Sequence, residues 1–144
     1  MKSIIYHHQD IFDSTHNVIL HGCNSQFKMN SGIAKIIRKK FPEAYNVYME
    51  SHGTLGTISV CEKTTPRIIN GITQEYYGQQ PKCYVNYRAM QTVFELSDQY
   101  CEQHGYHHIA MPRIGAGLGG GDWNIISKLI ETSFQHAQPH VYVI

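Results

Sequence analysis

Apolar positions along the chain follow two periods, short runs that read as strands and longer stretches with helical spacing. Strands are predicted at 3–6, 17–21, 56–61, 67–73, 107–111 and 140–143, several apolar without interruption, as in a sheet covered on both faces. Helical spacing links Ile33, Ile36, Ile37 and Phe41, then Val85, Ala89, Val93, Leu96 and Tyr100, then Trp123, Ile126, Ile130 and Phe134. Pro42 is expected to stop the first helix and Gly105 to cap the second. The alternation predicts one domain over 1–144, a three-layer α/β/α fold with a mixed, mostly parallel central sheet. In such sheets ligands sit beyond the carboxyl ends of the strands. Glycine-bearing junctions follow two predicted strand ends, at His21 and at Met111.

The second junction is the richer one. Gly115, Gly117, Gly119, Gly120 and Gly121 crowd between a strand-like run and the helix expected near Trp123. A turn needs one or two glycines; five at a strand-to-helix junction favour a loop whose backbone N–H groups converge on an oxyanion, with the helix N-terminus aimed at the same place. Gly115, Gly117 and Gly120 satisfy the dinucleotide fingerprint formally, but no second strand with its acidic residue follows about twenty positions on. No G-x-x-x-x-G-K-[ST] sequence occurs, which disfavours a P-loop triphosphatase. Cys23 is followed by no arginine suited to a cysteine-dependent phosphatase and reads as a small packing residue.

Composition narrows the ligand. A formal net charge of +1 is no basic field, so an anion would be held by local geometry, and a small phosphate-bearing molecule is favoured over nucleic acid. Cys23, Cys61, Cys83 and Cys101 form no C-x-x-C pair and no leader-like segment precedes them, which points to free thiols in a reducing, cytoplasmic setting. Among ten histidines the tightest group is His104, His107 and His108, with no matching cysteine or carboxylate set; these read as surface or capping residues, and no metal or cofactor is expected.

The second polar concentration runs from His21 through Asn24 and Lys28 to Lys35, a strand end passing into a helix that starts near Gly32. With it the chain resembles the macro domain family, small α/β modules that bind ADP-ribose. The resemblance is carried by Gln9-Asp10-Ile11, by Gly22-Cys23-Asn24 followed by Ser31-Gly32-Ile33-Ala34, by Asn70-Gly71-Ile72-Thr73-Gln74, and by the segment from Pro112 to Trp123. These motifs follow one another in order over nearly the whole chain. The resemblance implies that Asp10 accepts the adenine amino hydrogen beside the Ile11 amide, and that Asn24 bonds the distal ribose. It further implies that Gly32 and Ile33 lie along one side of the diphosphate while Ile114, Gly115, Ala116, Gly117 and Leu118 wrap the other. Tyr142, on the last predicted strand, is a candidate to stack on adenine.

Within the family the chain looks most like the branch that removes phosphate from ADP-ribose 1''-phosphate, which implies His21 and Asp122 as the catalytic pair. His21 would position or activate water, or attack phosphorus; Asp122 would protonate the leaving oxygen or orient His21. Asp122 directly before Trp123 is also a good helix N-cap. Two alternatives stand beside the phosphatase. One is an ADP-ribosyl hydrolase acting on modified protein or nucleic acid, although Gln74 and Gly119 stand where the branch resembled carries lysine and aspartate. The other is a reader that binds ADP-ribose without turnover. A monomer is expected, with no membrane partner and with nucleic acid only as an ADP-ribosylated substrate.

Overall fold

Strand β2 (Val18–Asn24) shows how the layers form: Val18 and Leu20 are buried in one hydrophobic cluster while Ile19 and Cys23 are buried in others. Period-two alternation sends successive side chains to opposite faces, so a continuously apolar strand requires cover on both. The molecule, seen as a computed structural model, is described for residues 1–78, 80 and 82–143. Its other strands are β1 (Ile5–His7), β3 (Ile58–Cys61), β4 (Arg67–Gln74), β5 (His108–Pro112) and β6 (Gln138–Tyr142). They form one sheet in the order β1-β6-β5-β2-β4-β3, with every neighbouring pair parallel except β3 and β4. This is the mixed, mostly parallel sheet expected from the sequence.

Helices α1 (Gly32–Lys40), α2 (Pro42–Glu50), α3 (Tyr87–His104) and α4 (Trp123–Ser133) supply the outer layers. On one face Met90, Val93 and Phe94 of α3 join Ile126 and Ile130 of α4 over Leu20, Ile69 and Met111. The other face carries Ile37 of α1 and Ala44 of α2 against Ile19, Ile68 and Ala110, with Tyr48 of α2 over Cys23 and Ile72. Gly71 on β4 lets α3 approach closely: a Cβ there would stand 2.4 Å from Val93 Cγ1.

Helix α2 is the element the apolar pattern did not announce. Pro42 ends α1, as expected, but it also occupies the first turn of a new helix, where a missing N–H and a preset φ carry no penalty. Gly105 caps α3 in the left-handed conformation at φ 74°. Val85 is not helical; it forms an isolated bridge to Gln74, and α3 starts after Asn86, whose side chain accepts from the Ala89 amide. Ile36 lies 43% exposed and does not belong to the buried stripe of α1.

Candidate functional site

Parallel strands bring their carboxyl ends to one edge, and the segments leaving β2, β4 and β5 meet there around a cleft of about 610 Å³. From β2 come Gly22, Cys23, Asn24 and Lys28, and from the start of α1 come Ser31, Gly32, Ile33 and Ala34. From β4 come Thr73 and Gln74; Pro112 through Gly115 and then Gly117, Leu118 and Gly119 close the opposite wall. Gly22 permits the approach of two walls, because a Cβ would meet Thr73 Oγ1 at 2.9 Å and Ile114 Cγ2 at 3.1 Å.

The glycine loop divides its amides into two sets. Those of Ile114, Ala116, Gly120 and Gly121 donate to Pro112, Arg113, Gly117 and Gly115 carbonyls within the loop. Those of Gly115, Gly117, Leu118 and Gly119 have no acceptor among the described residues, and all four residues line the cleft. The loop thus folds on one set of N–H groups and presents the other. Gly115 and Gly120 need glycine for their backbones, at φ 77° and 71°, and a Cβ at Gly120 would fall 2.0 Å from the Lys82 carbonyl oxygen. At Gly117 a Cβ would meet nothing within 4 Å, so neighbouring atoms leave room for a side chain there.

Across the cleft, α1 opens without a side-chain cap and without an acidic residue in its first turn, while Arg38, Lys39 and Lys40 stand in its last. Its positive end is therefore uncompensated on the cleft side. Helix α4 differs: Asp122 Oδ1 accepts from the Asn124 amide at 2.9 Å, and neither Asp122 nor Trp123 lines the cleft. The sequence led us to expect both helix N-termini to face the anion; among the described residues, α1 alone borders the cleft.

Residues singled out in the sequence separate accordingly. Asn24, Gly32, Ile33, Ile114, Gly115, Gly117 and Leu118 line the cleft; Ala116 is in the loop but off the lining. Asn24 is also the brace of its own turn, its Oδ1 accepting from the Gln26 and Lys28 amides and from the Tyr48 hydroxyl, its Nδ2 donating to the Lys28 carbonyl. Asp10 is exposed and caps the short 3-10 turn Ile11–Asp13, accepting from the Phe12 amide at 2.9 Å. Ile11 and Tyr142 are buried in one cluster, to which Ile33 adds its packing from the cleft side. One face of Tyr142 is stacked on His7 at 4.4 Å between centroids, and its hydroxyl meets His16.

His21 and Asp122 are not brought together at the cleft. His21 is fully buried beneath α2, with Nε2 2.6 Å from Asn70 Oδ1. Asn70 Nδ2 donates to the Ala44 carbonyl and to Ser59 Oγ, so Oδ1 is the acceptor and the imidazole proton is on Nε2. The remaining lone pair, on Nδ1, lies 3.8 Å from Cys23 Sγ. Burial pulls the His21 pKa from 6.5 down to about 4, only partly offset by the bond to Asn70. The same burial pushes the Cys23 thiol well above its ordinary range, so Cys23 carries no thiolate at neutral pH. Sequence reasoning missed Thr73. Its Oγ1 is buried, has no hydrogen-bond partner among the described residues, and belongs to the cleft lining. Its place in the Asn70–Gln74 motif at the carboxyl end of β4 marked it in the sequence, without a role.

A family model described as Macro domain matches residues 20–130, most of the chain. The chain belongs to the macro domain family. An ADP-ribose 1''-phosphate phosphatase of Candida albicans is 28% identical over 138 residues, covering 88% of this macro domain and 87% of the relative. The ADP-ribose glycohydrolase of Homo sapiens is 28% identical over 117 residues, 81% and 74% of the two chains. Among solved structures, the macrodomain of Mycobacterium tuberculosis DarG shares the fold at a TM-score of 0.83 and 19% identity, covering 100% of this macro domain and 99% of that chain.

The buried histidine makes the macro domain acid-sensitive. Between pH 6.5 and about 4 the unfolded chain binds a proton at His21 that the folded chain refuses. Stability held above pH 6.5 is therefore lost as pH falls through that window, by up to about 3 kcal/mol from this residue. Urea unfolding at pH 7 and pH 4.5 should show a gap that His21→Gln, which retains a donor for Asn70, narrows by about 2 kcal/mol; an unchanged gap would exclude His21 as its source.

Proposed function

We propose that this macro domain binds ADP-ribose in the cleft between α1 and the glycine loop and hydrolyses ADP-ribose 1''-phosphate there to ADP-ribose and phosphate. The observation that carries the binding reading is the set of four amides, at Gly115, Gly117, Leu118 and Gly119, that lack an acceptor among the described residues and belong to the lining. A diphosphate placed between them and the uncapped end of α1 supplies acceptors to both walls, in a chain whose net charge of +1 offers no broader attraction. In this reading Asp10 retains Oδ2 for the adenine amino group, with the Ile11 amide beside it. The second Nδ2 hydrogen of Asn24 serves the distal ribose, and the unpartnered Thr73 hydroxyl gains its bond from the ligand.

Turnover has support in the likeness to the Candida albicans phosphatase and in the amide-rich wall, which stabilises charge on a transferring phosphoryl group without a metal. Water attacks phosphorus, the bond to the anomeric oxygen breaks, and that oxygen takes a proton. His21 enters as a positioning residue that pins the ends of β2 and β4 under the cleft, and Asp122 as the group at the loop exit nearest α4.

A reader without turnover is the second reading, favoured by a specific observation: among the described residues the lining contains no aspartate, glutamate or histidine. Removal of ADP-ribose from a macromolecule has the likeness to the human glycohydrolase in its favour. Against it, Gln74 and Gly119, where that branch carries lysine and aspartate, both line the cleft and neither ionises.

Gly117→Glu should keep the melting temperature within about 1 °C, because a Cβ there meets nothing within 4 Å, and should weaken ADP-ribose binding at least about 100-fold by calorimetry. Retained affinity would remove the loop from the site. Thr73→Val should raise apo stability by about 1 kcal/mol through loss of an unsatisfied hydroxyl and weaken ADP-ribose about tenfold; equal stability and equal affinity would show the hydroxyl already satisfied. Metal-stripped protein should release inorganic phosphate from ADP-ribose 1''-phosphate. Loss of release in Asp122→Asn at unchanged melting temperature would place its carboxylate in the reaction, and retained release would leave it as the cap of α4. Binding without release, with ADP-ribose freed from a modified protein or oligonucleotide, would select the glycosidic hydrolase; with neither product, the reader.

A further inference from the structure

The sequence groups His104, His107 and His108; the fold assembles a different set. His7 from β1, His16 from the segment before β2, His108 from β5 and His140 from β6 meet on the sheet face opposite α3 and α4, away from the cleft, none of whose lining they share. His7 Nε2 lies 2.8 Å from His140 Nδ1, and His140 Nε2 lies 3.0 Å from His108 Nδ1. One ring nitrogen each of His7, His16 and His140 lies within 4.8 Å of the other two. Ring contacts hold the cluster: His16 is tilted at 48° against His140 with 4.5 Å between centroids, and His7 stacks on Tyr142, whose hydroxyl fixes His16 Nε2 at 2.8 Å.

Imidazoles crowded together without a carboxylate have little reason to be there as cations. Imidazole ligates through the lone pair of its neutral form. The cluster brings its ring nitrogens near enough to one another to share one ion. A cleft of about 480 Å³ lined by His16, His108 and His140 with Thr15, Asn17 and Tyr106 opens beside it, giving a path of entry and room for a water.

We propose that His7, His16 and His140 bind a divalent transition-metal ion of borderline softness, Zn²⁺ in the first place, with a fourth position open to this second cleft. An all-imidazole set suits Zn²⁺, Ni²⁺ and Cu²⁺ and disfavours Mg²⁺ or Ca²⁺, which demand oxygen ligands. Tetrahedral ligands about 2.0–2.1 Å from zinc stand about 3.3 Å apart, so His7 and His140 separate slightly and His16 closes in, by ring rotation. His140 then ligates through Nδ1 and donates its Nε2 hydrogen to His108, which makes His108 the partner that fixes tautomer and orientation. The ion ties the three-residue edge strand β1 to β6 and to the segment entering β2.

The test uses the whole chain, metal-stripped, in a Cys83→Ser background that removes the exposed thiol as a competing ligand. Titration with Zn²⁺ against a chromophoric chelator should show one equivalent bound, and Co²⁺ should give the visible absorption of a four-coordinate nitrogen site. Zn²⁺ should also raise the melting temperature in a concentration-dependent way. His16→Ala should weaken Zn²⁺ at least about tenfold and His108→Ala about tenfold, while His52→Ala, at an exposed histidine elsewhere, should change nothing. Should His16→Ala misfold by circular dichroism, His7→Phe, which retains the stack on Tyr142, replaces it. Absence of saturable one-to-one binding, or binding that survives both His16→Ala and His7→Phe, would overturn the proposal.

Discussion

Parallel pairing of β2 between β4 and β5 is the constraint on which the rest depends. Ile19 stands opposite Ala110, and His21 opposite Asn70, so the three strands end at one edge and their outgoing loops must meet. The His21 to Asn70 hydrogen bond lies at that register and is sealed beneath α2, where a slip would strand two buried polar groups. A one-residue slip would also turn every buried side chain of β2 to the wrong face. The cleft is thus a by-product of a sheet whose register is enforced from below.

Electrostatics at the cleft combine Lys28 and Arg113 of the lining with the backbone. Helix α1 leaves its first turn uncapped and concentrates three basic residues in its last, whereas α4 is closed by the Asp122 carboxylate. The contrast has a physical sense: a carboxylate beside an anion site repels the ligand, and an uncapped N-terminus attracts it. The glycine loop applies the same economy to its amides, using four to hold its own shape and turning four others to the cleft. Such a site needs no large net charge.

Histidine chemistry follows from where the tertiary structure seals and where it opens. His21 is enclosed by Asn70, Cys23 and the layer of α2, with the Cys23 sulfur against its ring and no exposure to water. Of the four histidines near β1, His16, His108 and His140 border a cleft, and His7, His16 and His140 present nitrogens to one another. One residue type thus acquires opposite chemical availability in two places of the fold.

Much of the fold was legible because its causes are local. Short apolar runs marked all six strands, and the glycine crowding after Met111 marked the loop, since apolar runs and backbone freedom are properties of neighbouring residues. Helix α2 escaped because Pro42 ends one helix and begins the next with the same chemistry. In the site, Asn24, Gly32 and the loop glycines were visible as motifs with a role, while Thr73 stood in a motif without one, since an unpartnered hydroxyl exists only once its surroundings are known. The sequence by itself determined the alternation of elements, the glycine loop and the family motifs. Tertiary structure alone decided that His21 lies under the cleft floor and that nitrogens of His7, His16 and His140 come within 4.8 Å of one another, because burial and convergence depend on contacts between residues as many as 133 positions apart.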